Sequence, residues 1–216
     1  MKASWKSKLY DLASVTPVLV WFSLGIVGSL LQISQPLELR GGAIVVCCHL
    51  ANIVFSTLLI LLLVIRCPPV RTAQGLWPKV AGIAGMLLPL VFIALPRAKL
   101  TPSWAIFSSA IVLAGTVASI VIVCWLGRSF SIFPQARRLV TEGPYRLVRH
   151  PLYLAELLVV FGAMWQFEQP WAFIVLLVAT GAQIPRMHFE EQVLMEAFPS
   201  YRDYANRTAR LLPGLF

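Results

Sequence analysis

Four stretches of this 216-residue chain, 15–33, 43–65, 80–95 and 104–126, are apolar over lengths that approach or exceed a bilayer crossing. Each is bounded by Pro, Gly or charge. A helix rises about 1.5 Å per residue, so about 20 apolar residues cross a hydrocarbon core about 30 Å thick. Two shorter runs, 152–167 and 171–184, are separated only by Glu168-Gln169-Pro170 and read as an antiparallel helical hairpin. The second of these would cover about 21 Å, short of a full crossing. The expected fold is all-α: a polytopic integral membrane protein with about five to six transmembrane helices, the C-terminal hairpin included. The first run is too long for a cleaved signal peptide and lacks the small-residue cleavage pattern, so it is expected to persist as helix one.

Charged residues make up only 12% of the chain, against about 25% in soluble domains. That composition, with 58% hydrophobic residues, excludes a disordered chain, a coiled coil and a disulfide-rich secreted scaffold. The charge is lopsided, 18 Lys and Arg against 9 Asp and Glu. With six crossings and the N-terminus inside, 15 of the basic residues fall in inside segments, and only Arg40, Arg97 and Lys99 fall outside. Both termini are therefore expected in the cytoplasm. The positive charge then lies where anionic headgroups would meet it, so the expected partners include membrane lipids and no nucleic acid. Cys47, Cys48, Cys67 and Cys124 have no zinc-type spacing and are expected to be buried small hydrophobes, so no metal site is expected.

Residues 127–151 and 186–216 depart from this pattern, holding 9 of the 18 basic and 5 of the 9 acidic residues. The first reads Gly143-Pro144-Tyr145, a turn, and then Arg149-His150-Pro151-Leu152-Tyr153, with Pro151 suited to the first turn of a helix. Arg146 and Arg149 would meet lipid phosphates in the plainest reading, and His150 would cap the helix. Glu156 lies one turn into that apolar helix, where an ionisable group is costly and points to function. Tyr153 and His150, three and six residues back, can approach the same face. In the second segment Pro185 favours a kink or a fresh helix start. Arg186 and Glu190 are four apart and share a face, as a surface salt bridge would. Tyr201 and Tyr204 with Arg202 and Arg207 read as an interfacial anchor.

Together, Gly143-Pro144-Tyr145, Arg149-His150-Pro151-Leu152-Tyr153, Glu190-Glu191, Phe198, Tyr201, Tyr204 and Pro213 resemble the isoprenylcysteine carboxyl methyltransferase family and its bacterial relatives, over about the last 90 residues. The resemblance implies a membrane methyltransferase using S-adenosylmethionine, in a bacterial inner membrane, with its active site toward the cytoplasm. It implies N-terminal transmembrane helices over 1–126 and a cofactor-binding catalytic region over 127–216. Carried over by position, the cofactor residues would be Arg138, Leu139, Val140, Tyr145, Arg149, His150, Pro151, Leu152, Tyr153 and Glu190. Arg186, with Glu156, would meet a lipophilic small-molecule or lipidated acceptor, and Arg186 and Glu190 would carry catalysis. Ala155 and Pro199 stand where the family commonly has Gly.

That chemistry suits the residue types. Methyl transfer from a sulfonium is an in-line displacement, which holding donor and nucleophile about 3 to 3.5 Å apart can largely accelerate. A carboxylate acceptor needs no base, the faces of Tyr145 and Tyr153 would favour a sulfonium, and Arg186 would fork onto a carboxylate. Three alternatives stand beside this reading. One is a phospholipid N-methyltransferase. Another is an NADPH-dependent sterol or enone reductase, whose similar hairpin usually has Asn where Leu152 stands. The third is a non-catalytic membrane binding protein.

Overall fold

A computed structural model of the chain describes residues 5–36 and 42–213, so Lys2 and Arg40 of the charge pattern lie outside the described residues. Among the described residues, seven α-helices make up most of the structure: α1 (Trp5–Ser34), α2 (Ala43–Ile65), α3 (Trp77–Leu87), α4 (Pro102–Leu126), α5 (Pro151–Met164), α6 (Trp171–Ala197) and α7 (Tyr201–Arg207). Four of them, α1, α2, α4 and α6, are long and apolar enough to cross a membrane. The architecture is that of an all-α polytopic membrane protein. The strands among the described residues are a two-residue pair, β1 (Arg71–Thr72) antiparallel to β2 (Gln135–Ala136), with Arg71 opposite Ala136.

The third apolar run is not one straight span. Residues Trp77–Gly85 and Leu88–Ala94 meet at 43°, the second piece being a 3-10 helix. Pro89 accounts for the break, because its ring crowds the carbonyl of Gly85 four residues back and it has no N–H to give. The hairpin also differs from expectation, because the short arm is the first one. With 14 residues, α5 is about 21 Å long, whereas the 27 residues of α6 run about 40 Å, beyond the bilayer core. Pro185 neither ends nor restarts α6, which continues through it to Ala197. Lost backbone bonds at proline are tolerated in such helices where neighbours compensate. The Cys residues are not the buried hydrophobes expected: Cys47 and Cys124 are exposed, and Cys48 and Cys67 are half-buried.

α4 and α5 approach closely because neither Gly115 nor Gly162 carries a side chain. A Cβ on Gly115 would stand 2.9 Å from the Val159 nitrogen, and one on Gly162 would stand 2.8 Å from that of Val112. The bundle's two ends are held by different means. At one end the 95–101 and 165–170 loops pair, through Ala98 N to Gln166 O (3.0 Å) and Glu168 N to Pro96 O (3.0 Å). At the other, Asp11 of α1 bonds buried Arg66 (2.8 Å) and buried Arg137 (3.0 Å), and Arg137 also donates to the Cys67 carbonyl. That triad fastens the 127–150 segment to the ends of α1 and α2. The main core, with Val15, Leu59, Leu63, Val123, Phe130 and Leu152, lies just beneath it.

Candidate active site

The 127–150 segment, the start of α5, the C-terminal half of α6 and α7 surround a cleft of about 730 Å³, counting space open to solvent. Gly143 turns the segment over Trp125 with φ +60°; a Cβ there would meet the indole at 2.5 Å, so only glycine fits. Arg138, Leu139, Val140, Tyr145, Arg149, His150, Leu152, Tyr153, Arg186 and Glu190 all line the cleft. Of the residues singled out from sequence, Pro151 is buried at the first turn of α5 and Glu156 faces a second cavity instead.

One acid fastens this cleft together. The Glu191 carboxylate, buried, meets Arg210 Nη2 at 2.7 Å, His150 Nε2 at 3.0 Å and Arg149 Nη1 at 3.2 Å. Beside it the backbone N–H groups of Arg149 and His150 donate to the carbonyls of Ala209 and Arg210, at 2.8 and 3.1 Å. His150 does stand at the N-cap of α5, but without a side-chain cap bond; its imidazole bonds Glu191 instead. Tyr201 and Tyr204 are not an interfacial anchor either. Both are buried, and Tyr204 Oη donates to the Tyr145 carbonyl at 2.6 Å. Burial pushes the Tyr145 and Tyr201 phenols far up and Tyr204 up to about 12, so all three are neutral donors at neutral pH.

Arg186 does not pair with Glu190 on a surface. It is buried, its Nη1 bonds Glu156 Oε2 at 3.3 Å and Gln183 Oε1 at 3.4 Å, and its guanidinium lies over the Tyr153 ring at 4.5 Å. Gly85 of α3 leaves room for it, since a Cβ there would stand 3.1 Å from Arg186 Cδ. Tyr153 donates to Glu190 Oε2 at 2.5 Å, and the His150 ring stacks on it with centroids 5.2 Å apart. His150 and Arg186 thus both lie against the Tyr153 ring, which also lines the cleft. Three buried polar atoms of cleft residues have no partner: Arg149 Nε, Arg186 Nε and Tyr201 Oη. Unsatisfied buried donors of this kind call for a ligand or ordered water.

Phe130, Leu152 and Arg186 also line a second cavity of about 1070 Å³, again counting open space, whose remaining walls are mostly apolar and come from all six longer helical segments. Glu156 and Gln183 stand beside Arg186 where the two cavities meet. Sequence reasoning missed Glu191, Arg210 and Gln183. Glu191 had a signal, its place beside Glu190, and so did Gln183, a polar side chain inside an apolar run. Arg210 had none, because only the folded C-terminus brings it back to α6. Among the described residues, no three His, Cys, Asp or Glu side chains gather as a metal site.

Comparison with known proteins agrees with the region. The family model for phospholipid methyltransferases matches residues 103–200, which covers α4, the cleft-forming segment, α5 and α6. The chain is 40% identical over 78 residues to the cobalt-zinc-cadmium resistance protein CzcN of Cupriavidus metallidurans, 36% of each chain. It is 29% identical over 150 residues to the nickel-cobalt-cadmium resistance protein NccN of Alcaligenes xylosoxydans xylosoxydans, 67% of this chain and 66% of that one. The matches thus span about a third and about two thirds of these relatives' lengths. The family match supports a membrane methyltransferase.

Proposed function

We propose that this chain is an S-adenosylmethionine-dependent methyltransferase that modifies a carboxyl group on a lipophilic acceptor, with both termini and the polar cleft facing the cytoplasm of a bacterial inner membrane. The observation that carries the reading is the shared wall: a polar cleft and an apolar cavity between the helices meet at Leu152, Phe130 and Arg186. A charged cofactor and a lipid-soluble acceptor need two such compartments, with one point of contact where reacting atoms come within about 3 to 3.5 Å.

The cleft's donor set fits S-adenosylmethionine. The spare Arg149 Nε and Tyr201 Oη suit a carboxylate or ribose, Glu190 suits an amine or hydroxyl, and the Tyr145 ring suits a positive sulfur. The cofactor, when bound, supplies an electrophilic methyl group. The chain's own residues then have positional tasks. Glu191 fixes the Arg149–His150 corner to α6, and Leu152 and Phe130 exclude water from the junction. Arg186 keeps Nε unspent while Nη1 is held by Glu156 and Gln183, so one edge of the guanidinium remains for an acceptor carboxylate. No base is required, because a carboxylate is deprotonated at neutral pH.

A phospholipid amine is the second reading, favoured by the description of the matching family and by the Glu156 carboxylate on the apolar cavity, which would attract an amine. Incubating membranes with methyl-labelled S-adenosylmethionine and identifying the lipid-soluble product separates ester from amine. For the carboxyl reading, Arg186→Ala weakens acceptor use far more than cofactor binding; equal losses refute that role. Glu190→Ala lowers cofactor affinity, and unchanged saturable binding would contradict the pocket. Saturable NADPH binding without S-adenosylmethionine binding would favour a reductase.

A further inference from the structure

The apolar cavity contains a polar group that the transfer reaction does not use. Asn52, the tenth residue of the 23-residue α2, lines it close to the helix midpoint, where the bilayer is driest. Asn52 Nδ2 donates to Ser29 Oγ at 2.9 Å, and the Ser29 hydroxyl in turn lies 3.4 Å from His49 Nδ1. Ser29 is buried and does not itself line the cavity. Two other hydroxyls on the cavity wall are spent on their own helix, Thr116 on the Val112 carbonyl and Ser119 on the Gly115 carbonyl. An amide offers two N–H donors and an acceptor oxygen. One N–H is bonded to Ser29, and half-buried Asn52 lines the cavity, so the second N–H and the carbonyl oxygen keep capacity for a partner there.

We infer that Asn52 is a specificity-determining residue, reading a hydrogen-bonding group in the middle of an otherwise apolar acceptor chain. This rests on the proposed acceptor role of the cavity. Along α2 the cavity-lining residues run from Leu59, which packs in the core with Leu152, to Asn52, a rise of about 10 Å. The recognised group therefore sits about that far from the cavity junction, as a mid-chain hydroxyl or carbonyl would, with the acceptor's reactive end at Arg186. A site built to bond such a group rejects an analogue lacking it, because its own polar atoms are then left unpaired. A bilayer-facing asparagine serving only as glue between α1 and α2 would affect stability and not ligand choice.

The test is binding of labelled 10-hydroxystearate and stearate to the full chain in lipid nanodiscs, with empty nanodiscs as background and S-adenosylmethionine binding measured on the same samples. The wild type is expected to bind the hydroxy acid about tenfold more tightly. Asn52→Leu should abolish that preference, chiefly by tightening stearate as the unpaired amide is removed, while S-adenosylmethionine binding in the separate cleft stays as in the wild type. Ser29→Ala, which cuts the helix-to-helix bond but keeps the amide, should retain it. Equal affinity of the wild type for both acids overturns the inference, as does a preference that survives Asn52→Leu or is lost equally in Ser29→Ala. Absence of saturable binding of either acid, with S-adenosylmethionine still bound, overturns it by removing the cavity's acceptor role. Loss of S-adenosylmethionine binding in the wild type would instead sink the methyltransferase reading.

Discussion

Replacing Glu191 by Gln keeps the side chain's size and removes its charge, at a point where three cationic or basic groups converge within 3.2 Å. A hydrogen bond to a charged group contributes roughly 1.5–3 kcal/mol, against about 0.5–1.5 for a neutral one, so each contact weakens by about 1 kcal/mol. Arg210 is a quarter exposed and solvent screens its share. Arg149 and His150 are far more enclosed, and the amide N–H₂ would turn a donor toward one of them. The loss is therefore about 2–3 kcal/mol. Because His150 and Arg149 both line the cleft, the loss falls on the geometry that receives the cofactor. At 1.4 kcal/mol per decade, affinity for S-adenosylmethionine should drop, by at most about 30- to 150-fold if the whole loss falls on the bound state. Equilibrium dialysis of the protein in nanodiscs reads this directly, with thermal unfolding recorded in parallel. Arg207→Ala is the control, an exposed side chain bonded to the Asp203 carbonyl of its own helix. Wild-type affinity in Glu191→Gln, whatever happens to its unfolding temperature, would refute the idea that Glu191 positions the cofactor corner.

Three further outcomes follow from the same geometry. Gly115→Ala and Gly162→Ala should each destabilise the α4–α5 contact by about 1–3 kcal/mol through overpacking, whereas Gly28→Ala, with open space around it, should not; thermal melts of the three variants decide. Asp11→Ala strands the buried guanidiniums of Arg66 and Arg137 and should cost about 3 kcal/mol or more, read as an earlier denaturant midpoint; a shift no larger than that of an exposed-site control would count against the triad. Tyr204, pushed up to about 12 chiefly by burial, favours its neutral form when folded. Its contribution is fully present below the ordinary tyrosine value of about 10 and is lost as pH rises through about 12. Tyr204→Phe should flatten that alkaline decline in stability, and an unchanged pH profile would contradict the assignment.

Much of the bundle was legible in the sequence because lipid imposes a simple length rule on apolar runs. The bounds of α2 coincide with its run, and α4 with its run to within two residues. Errors arose where a proline's effect depends on its neighbours. Pro89 breaks a helix that the apolar run 80–95 carries straight through it, whereas Pro185, which favours a kink or a fresh start, lies within one continuous helix. The same holds for Arg186 and Glu190, which helical spacing places together. In the structure Arg186 turns inward to Glu156 and Tyr153, and Glu190 takes the Tyr153 hydroxyl. Burial supplies the reason, because a guanidinium removed from water bonds the nearest acid of another helix more strongly than one it shares with solvent.

The sequence by itself determined that the chain carries apolar spans and that its polar chemistry is concentrated in two segments, since local composition carries those facts, and the family resemblance pointed to many of the side chains that line the cleft. Only the tertiary structure decided how those side chains are spent. Glu191 closes on Arg149, His150 and Arg210 from 42, 41 and 19 residues away in sequence. The apolar cavity beside the cleft has no sequence signature at all, because its walls come from α1 through α6 and only their packing makes a space between them. Long-range pairing of charges and the shape of a void are properties of the assembled bundle, and no local pattern encodes either.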